Sequence, residues 1–172
     1  MKFRWFTLLL AGSMLLTACS SDQDKADEPV KQEQHKEEQA GHQHTVANGD
    51  IQETTASADD LPNFLDTQSD DLKLVYKATG QATEILQWIP CYCGCGESAG
   101  HKSNMNCFIS EVKEDGSIVW DDHGTRCVAC VEIAIQSIKM AQEGKTLKEI
   151  RQFIDETYKE GYAEPTPTPF PA

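Results

Sequence analysis

The run Cys127-Val128-Ala129-Cys130-Val131-Glu132-Ile133-Ala134-Ile135-Gln136-Ser137-Ile138 carries the strongest periodic signal in this chain. Cys127, Cys130, Val131, Ala134, Ile135 and Ile138 recur at i, i+3, i+4, i+7, i+8 and i+11, which is one continuous helical face. Gly144 closes the pattern. Thr146-Leu147-Lys148-Glu149 then has capping-box spacing and opens a last helix through Ile150, Phe153, Ile154 and Tyr158.

Moving outward toward the N-terminus, Val112 and Ile118-Val119-Trp120 flank Asp115-Gly116, the composition of a hairpin turn between short strands. Further upstream, Ser69 is placed to cap a helix with Asp70 and Asp71 in its first turn and Leu72, Val75 and Tyr76 on one face. Gly80 interrupts or ends that helix. A second helical segment is expected from about Ala82 to Trp88, stopped by the effect of Pro90 on Ile89. These elements predict a mainly α fold: a compact helical domain over residues 61–162, with a Cys-rich loop and a β-hairpin. A small α+β arrangement is the alternative.

The ends of the chain read differently. Lys2 and Arg4 precede an apolar run from Trp5 to Leu16, which has signal-peptide length and is too short to span a bilayer comfortably. Leu16-Thr17-Ala18-Cys19 resembles the bacterial lipobox, in which cleavage falls before the cysteine. The resemblance implies that residues 1–18 are a lipoprotein signal peptide and that Cys19 carries a diacylglycerol thioether and often an N-acyl chain. Paired acyl chains anchor stably, so the expected address is the outer, extracytoplasmic face of a bacterial cell membrane. Residues 19–60 are rich in Gln, Glu, Asp, Ser and Thr, with eleven acidic and three basic side chains from residue 20 onward. Such a segment buries too little apolar surface to offset its ordering entropy, and a disordered acidic tether is expected. His35, His42 and His44 lie in it; a His-Gln-His pair can chelate weakly, but solvated histidines in a polar tract are commoner. The Pro-rich tail, residues 163–172, is expected as extended polyproline-like chain without packing partners. The 172 residues carry a formal charge of −13, and an acidic chain without a basic block repels phosphate backbones, so nucleic acid is excluded as a partner.

Seven cysteines minus Cys19 leave six, all between Cys91 and Cys130. The central motif is Pro90-Cys91-Tyr92-Cys93-Gly94-Cys95-Gly96, followed by His101, Cys107, His123, Cys127 and Cys130. From Leu61 to Tyr158 the chain resembles the bacterial lipoproteins named after the Pro-Cys-Tyr-Cys-Gly-Cys motif. The matching order is Ile89-Pro90, the motif, Gly100-His101-Lys102-Ser103, Cys107-Phe108, His123-Gly124 and Cys127-x-x-Cys130. The resemblance implies a domain boundary and an address rather than a reaction.

The chemistry follows from the residues. Cysteines spaced by one residue share a face of extended chain, and a disulfide between cysteines two apart is strained. Cys127 and Cys130 fall in the first turn of a helix, where unpaired amides favour thiolates. Cys91, Cys93, Cys95, Cys107, Cys127, Cys130, His101 and His123 are therefore candidate metal ligands, eight donors that would fill two tetrahedral sites. Copper suits the softness of the set and zinc its mixed Cys/His character; iron–sulfur units fit less well. Two other readings compete. One is thiol–disulfide exchange or electron transfer at Cys127-x-x-Cys130, with a redox partner protein; the other is three structural disulfides in a secreted binding domain. No Gly-rich phosphate loop, nucleophile elbow or His-Glu-x-x-His pair is present, so metal binding or handling is expected rather than hydrolase or transferase chemistry.

Overall fold

A computed structural model describes residues 41–172. Four strands, β1 (Gln43–Thr45), β2 (Ile51–Thr55), β3 (Ile109–Val112) and β4 (Ile118–Asp121), form one antiparallel sheet in the order β1-β2-β4-β3. Five helices accompany it: α1 (Asp70–Gly80), α2 (Thr83–Leu86), α3 (Cys95–Ser98), α4 (Val128–Gln142) and α5 (Leu147–Tyr158). The fold is therefore mixed α+β, which corrects the expectation of a mainly helical domain with one hairpin.

The correction comes from residues 41–60. They were expected to be tether, yet β1 and β2 extend the β3–β4 hairpin into a sheet, with Glu53 opposite Trp120 and Thr54 opposite Val119. Apolar burial does not hold them there. Asp50, Glu53, Thr54 and Thr55 are all buried. The Glu53 carboxylate accepts from the backbone N–H groups of Asn63 and Phe64 at 2.9 and 3.3 Å and from the side chains of Asn63 and Gln43 at 2.6 and 2.8 Å. It thereby satisfies free amides at the start of the 3-10 turn Asn63–Leu65. Thr55 Oγ1 accepts from Trp120 Nε1 at 2.8 Å. His44 lies in β1 opposite Gln52; His35 and the whole signal and Cys19 region fall outside the described residues.

The helices form where their caps and periodicity place them. The Ser69 side chain accepts from Leu72 N–H, and the Thr146/Glu149 capping box is complete. Helix α1 ends at Gly80, where only glycine fits: a Cβ there would lie 2.7 Å from the Trp120 indole. Tyr76, fully buried, donates from its hydroxyl to the Asp121 carbonyl at 2.9 Å and joins helix to sheet. In α4 the buried line is Cys130, Ile133, Ala134 and Ser137, while Ile135 is exposed. The face is thus rotated from the expected one toward Ile133 and Ser137. Ser137 is accommodated because its hydroxyl bonds back to the Ile133 carbonyl at 2.8 Å.

The tail is extended, as its prolines require, but it is docked. Thr166 N–H donates to Cys91 O and Cys91 N–H donates to Thr166 Oγ1, both at 2.9 Å. Ala163 N–H donates to Tyr92 O at 3.0 Å. Arg151 Nη1 donates to the carbonyls of Thr168 and Pro169, and its guanidinium sits over the Phe170 ring. The expectation of a tail without packing partners is overturned by these bonds to the motif backbone.

Candidate metal centre

The cysteines converge because three segments meet. The motif loop emerges from α2 at Pro90 and turns at Gly94, whose φ of +88° is the left-handed conformation that glycine supplies; α3 then starts at Cys95. The 3-10 turn Asn104–Cys107 brings in Cys107. Cys127 stands at the N-cap of α4 and Cys130 three residues inside it. Fully buried Asn104 fastens loop to helix, donating from its backbone to Ile89 O at 2.7 Å and from its side chain to Cys130 O at 3.1 Å.

At the centre, the sulfurs of Cys91, Cys93 and Cys130 form a triangle with all three sides at 3.4 Å. Cys95 and Cys107 are 3.7 Å apart, and Cys93 Sγ lies 3.9 Å from His123 Nε2. All six thiols are free. Three four-donor groups have every ligand atom within 4.8 Å of the others: Cys91/Cys93/Cys107/Cys130, Cys93/Cys95/Cys107/His123 and Cys93/His123/Cys127/Cys130. A tetrahedral thiolate site with metal–sulfur bonds of about 2.3 Å has sulfur–sulfur edges of about 3.8 Å. The observed spacings lie close to that edge and far from a disulfide bond of about 2.05 Å. The donor set therefore fits a thiophilic metal ion, which it could hold.

Packing this many sulfurs together splits their acidity. Cys93 is driven far below the ordinary thiol range by hydrogen bonds from Cys107, Cys127 and Cys130, and Cys91 falls to about 4 through Cys107 and then Cys130. The donors pay the opposite shift: Cys130 is raised through its bonds with Cys107 and Cys127, and Cys107 by burial. His123 rises to about 10, through hydrogen bonding first with Cys127 and then with Cys93.

His101 does not join the sulfurs in these groups. It is buried beside His123, ring centroids 4.8 Å apart, with Nε2 4.0 Å from Asp50 Oδ2. Burial, and then His123, hold its pKa below the usual value. Asp50, Arg126 and Asn104 complete the surroundings and were not singled out from sequence. Asp50 Oδ2 lies 3.3 Å from His123 Nδ1 and accepts from Asn48 Nδ2 at 2.8 Å, while Oδ1 pairs with Arg126, which also pairs with Asp122. The carboxylate faces one ring nitrogen of His123 while the other faces the sulfurs, the arrangement that fixes the tautomer and orientation of a metal-ligating imidazole. The only sequence hint was Asn48-Gly49-Asp50, a turn signal inside an apparently disordered tract.

Fold and cluster together define a class: a small α+β domain built around convergent thiols and an oriented imidazole. The chain belongs to the family described as protein of unknown function with PCYCGC motif, which matches residues 8–171. No curated protein and no solved structure matches the chain.

Proposed function

We propose that this protein is an extracytoplasmic, lipid-anchored metal-binding or metal-handling module whose Cys/His centre takes Zn(II) or Cu(I). The observation that carries the reading is the equilateral Cys91–Cys93–Cys130 triangle. A disulfide takes two corners of such a triangle and must pair the third sulfur outside it, with Cys107 or Cys127. A metal ion uses all three. Bound there, the ion would supply positive charge that stabilises thiolates in a buried site. The chain's own residues do the rest: Cys91, Cys93 and Cys130 present converging sulfurs, Asn104 holds loop against helix, and Asp50 orients His123. The address rests on the signal-like run Trp5–Leu16 and the lipobox ending at Cys19; no helix among the described residues is long and apolar enough to cross a membrane. A metal donor or acceptor protein at the same membrane is the corresponding partner.

The test uses the full chain carrying Cys19→Ser, purified in detergent without oxygen, with elemental analysis and thiol counting before and after reduction. Bound zinc or copper with reducible bridges absent is the expected result. Three stable bridges without metal overturn it in favour of a structural role, and one reversible dithiol couple without metal in favour of redox exchange. Separately, mass spectrometry of the native N-terminus is expected to find acylated Cys19; an unmodified terminus removes the anchor.

A further inference from the structure

The four-donor groups overlap in a way that bears on how many ions the centre takes. Cys91/Cys93/Cys107/Cys130 and Cys93/His123/Cys127/Cys130 share two members, Cys93 and Cys130, whose sulfurs are 3.4 Å apart. Two donor tetrahedra with a common edge can both be filled only if the sulfurs of that edge each bind two ions. Thiolates do this readily, having several lone pairs, whereas imidazole nitrogens do not. Here the shared corners are both sulfur, and the single imidazole, His123, is terminal.

We propose that the centre is binuclear: two thiophilic d10 cations bridged by the Cys93 and Cys130 thiolates, with Cys91 and Cys107 completing the inner site and Cys127 and His123 the outer. This rests on the metal-binding reading above and deepens it, fixing stoichiometry and ligand roles. Burial argues for two ions. Cys91, Cys107 and Cys130 are fully enclosed, at 0% exposure. A single divalent ion would leave three uncompensated negative charges if all five thiols ionised; two divalent ions bring four positive charges against five thiolates. The two sites also differ in access. Cys93, Cys127 and His123 are only half-buried, and a groove of about 390 Å³ lined by Leu72, Val75, Val131 and Ile135 opens onto Cys127. The outer ion is therefore the exchangeable one. Cys95, 3.7 Å from Cys107, falls in a four-donor group with Cys93, Cys107 and His123, but filling that group beside the outer one would make the imidazole bridge, so Cys95 is assigned outside the two ions' ligands.

Titration of the full Cys19→Ser chain with ¹¹³Cd(II), followed by ¹¹³Cd NMR, tests this. Saturation at two ions per chain, with two resonances split by mutual ¹¹³Cd–¹¹³Cd coupling through shared sulfur, is expected. Cys127→Ala alters a half-buried N-cap position and is expected to leave one ion and one unsplit resonance; Cys95→Ser is expected to keep both ions and the splitting. Saturation at one ion, or two resonances without coupling, overturns the bridged centre while leaving metal binding intact. Loss of one ion in Cys95→Ser but not in Cys127→Ala overturns the ligand assignment in favour of the Cys93/Cys95/Cys107/His123 group. Failure to bind any cadmium overturns both this proposal and the reading beneath it.

Discussion

Helix α4 and the β1–β2 hairpin both bring residues to the cluster, but different forces hold them. Helix α4 is fixed by apolar burial: Ile133 and Ala134 are fully enclosed and keep Cys130 in place. The hairpin is fixed by buried polar groups, Glu53 on the amides of Asn63 and Phe64 and Asp50 on Arg126 and His123. The first kind of attachment is non-directional and tolerant of the neighbour's identity. The second depends on each distant partner being present, because an unpaired buried carboxylate is costly. One side of the centre is therefore robust and the other conditional.

The largest effect is expected from breaking the apolar side. Ile133→Ala removes a fully buried side chain and is expected to cost about 2–5 kcal/mol in denaturant unfolding of the metal-free protein. A loss below about 1 kcal/mol would mean that α4 is held by something other than its buried face. Added Zn(II) is expected to restore part of the loss, since an ion that binds only the folded state stabilises it.

The same contrast explains what the sequence disclosed. Helix α5 and its Thr146/Glu149 box, the Ser69 cap and the turn at Asp115-Gly116 were legible because the signals are local: a spacing, a cap, a turn dipeptide. Cys91, Cys93 and Cys130 were named as candidate ligands from their residue type and spacing, but that they meet at 3.4 Å is disclosed only by the fold. Strand β2 was not legible, because Ile51-Gln52-Glu53-Thr54-Thr55 carries one large apolar residue and its polar groups are satisfied from outside it, by Asn63 ten residues on and by Trp120 and Asp122 far along the chain. Hydropathy counts such a strand as solvated. The docked tail escaped for the same reason, since its anchors are backbone groups of the motif. Within α4, local pattern placed the helix but misjudged its rotation, because Ser137 satisfies its own hydroxyl and so can face inward.

An intermediate effect is expected from weakening the polar side without disturbing the fold. Asp50→Asn keeps the shape of the side chain but removes the charge that faces His123 Nδ1 and Arg126. Loss of such an outer carboxylate lowers metal affinity by about 10–100-fold. The decrease should appear in competition titration with a chromophoric chelator and be confined to the ion that His123 binds. An Asp50→Asn chain with unchanged affinity for every ion would remove Asp50 from the centre. One that also lost the far-ultraviolet strand signal would show that Asp50 acts through the hairpin instead.

The smallest effect concerns the tail, which belongs to neither side but braces the motif between them. Thr166→Val keeps the volume of the side chain and the Thr166 N–H bond to Cys91 O, while removing the hydroxyl that accepts from Cys91 N–H and also bonds to Thr168 Oγ1. Two neutral hydrogen bonds, each worth about 1 kcal/mol net, are lost, so unfolding stability should fall by about 1–2 kcal/mol. The informative readout is hydrogen exchange at the Cys91 amide, which should quicken by more than amides in α5, where the tail touches only side chains. Uniform acceleration at both places would mean that the tail stabilises the domain as a whole. Selective acceleration at Cys91 would mean that it holds the first sulfur of the motif in position, so that the proline-rich tail shapes the centre alongside the hairpin that carries Asp50.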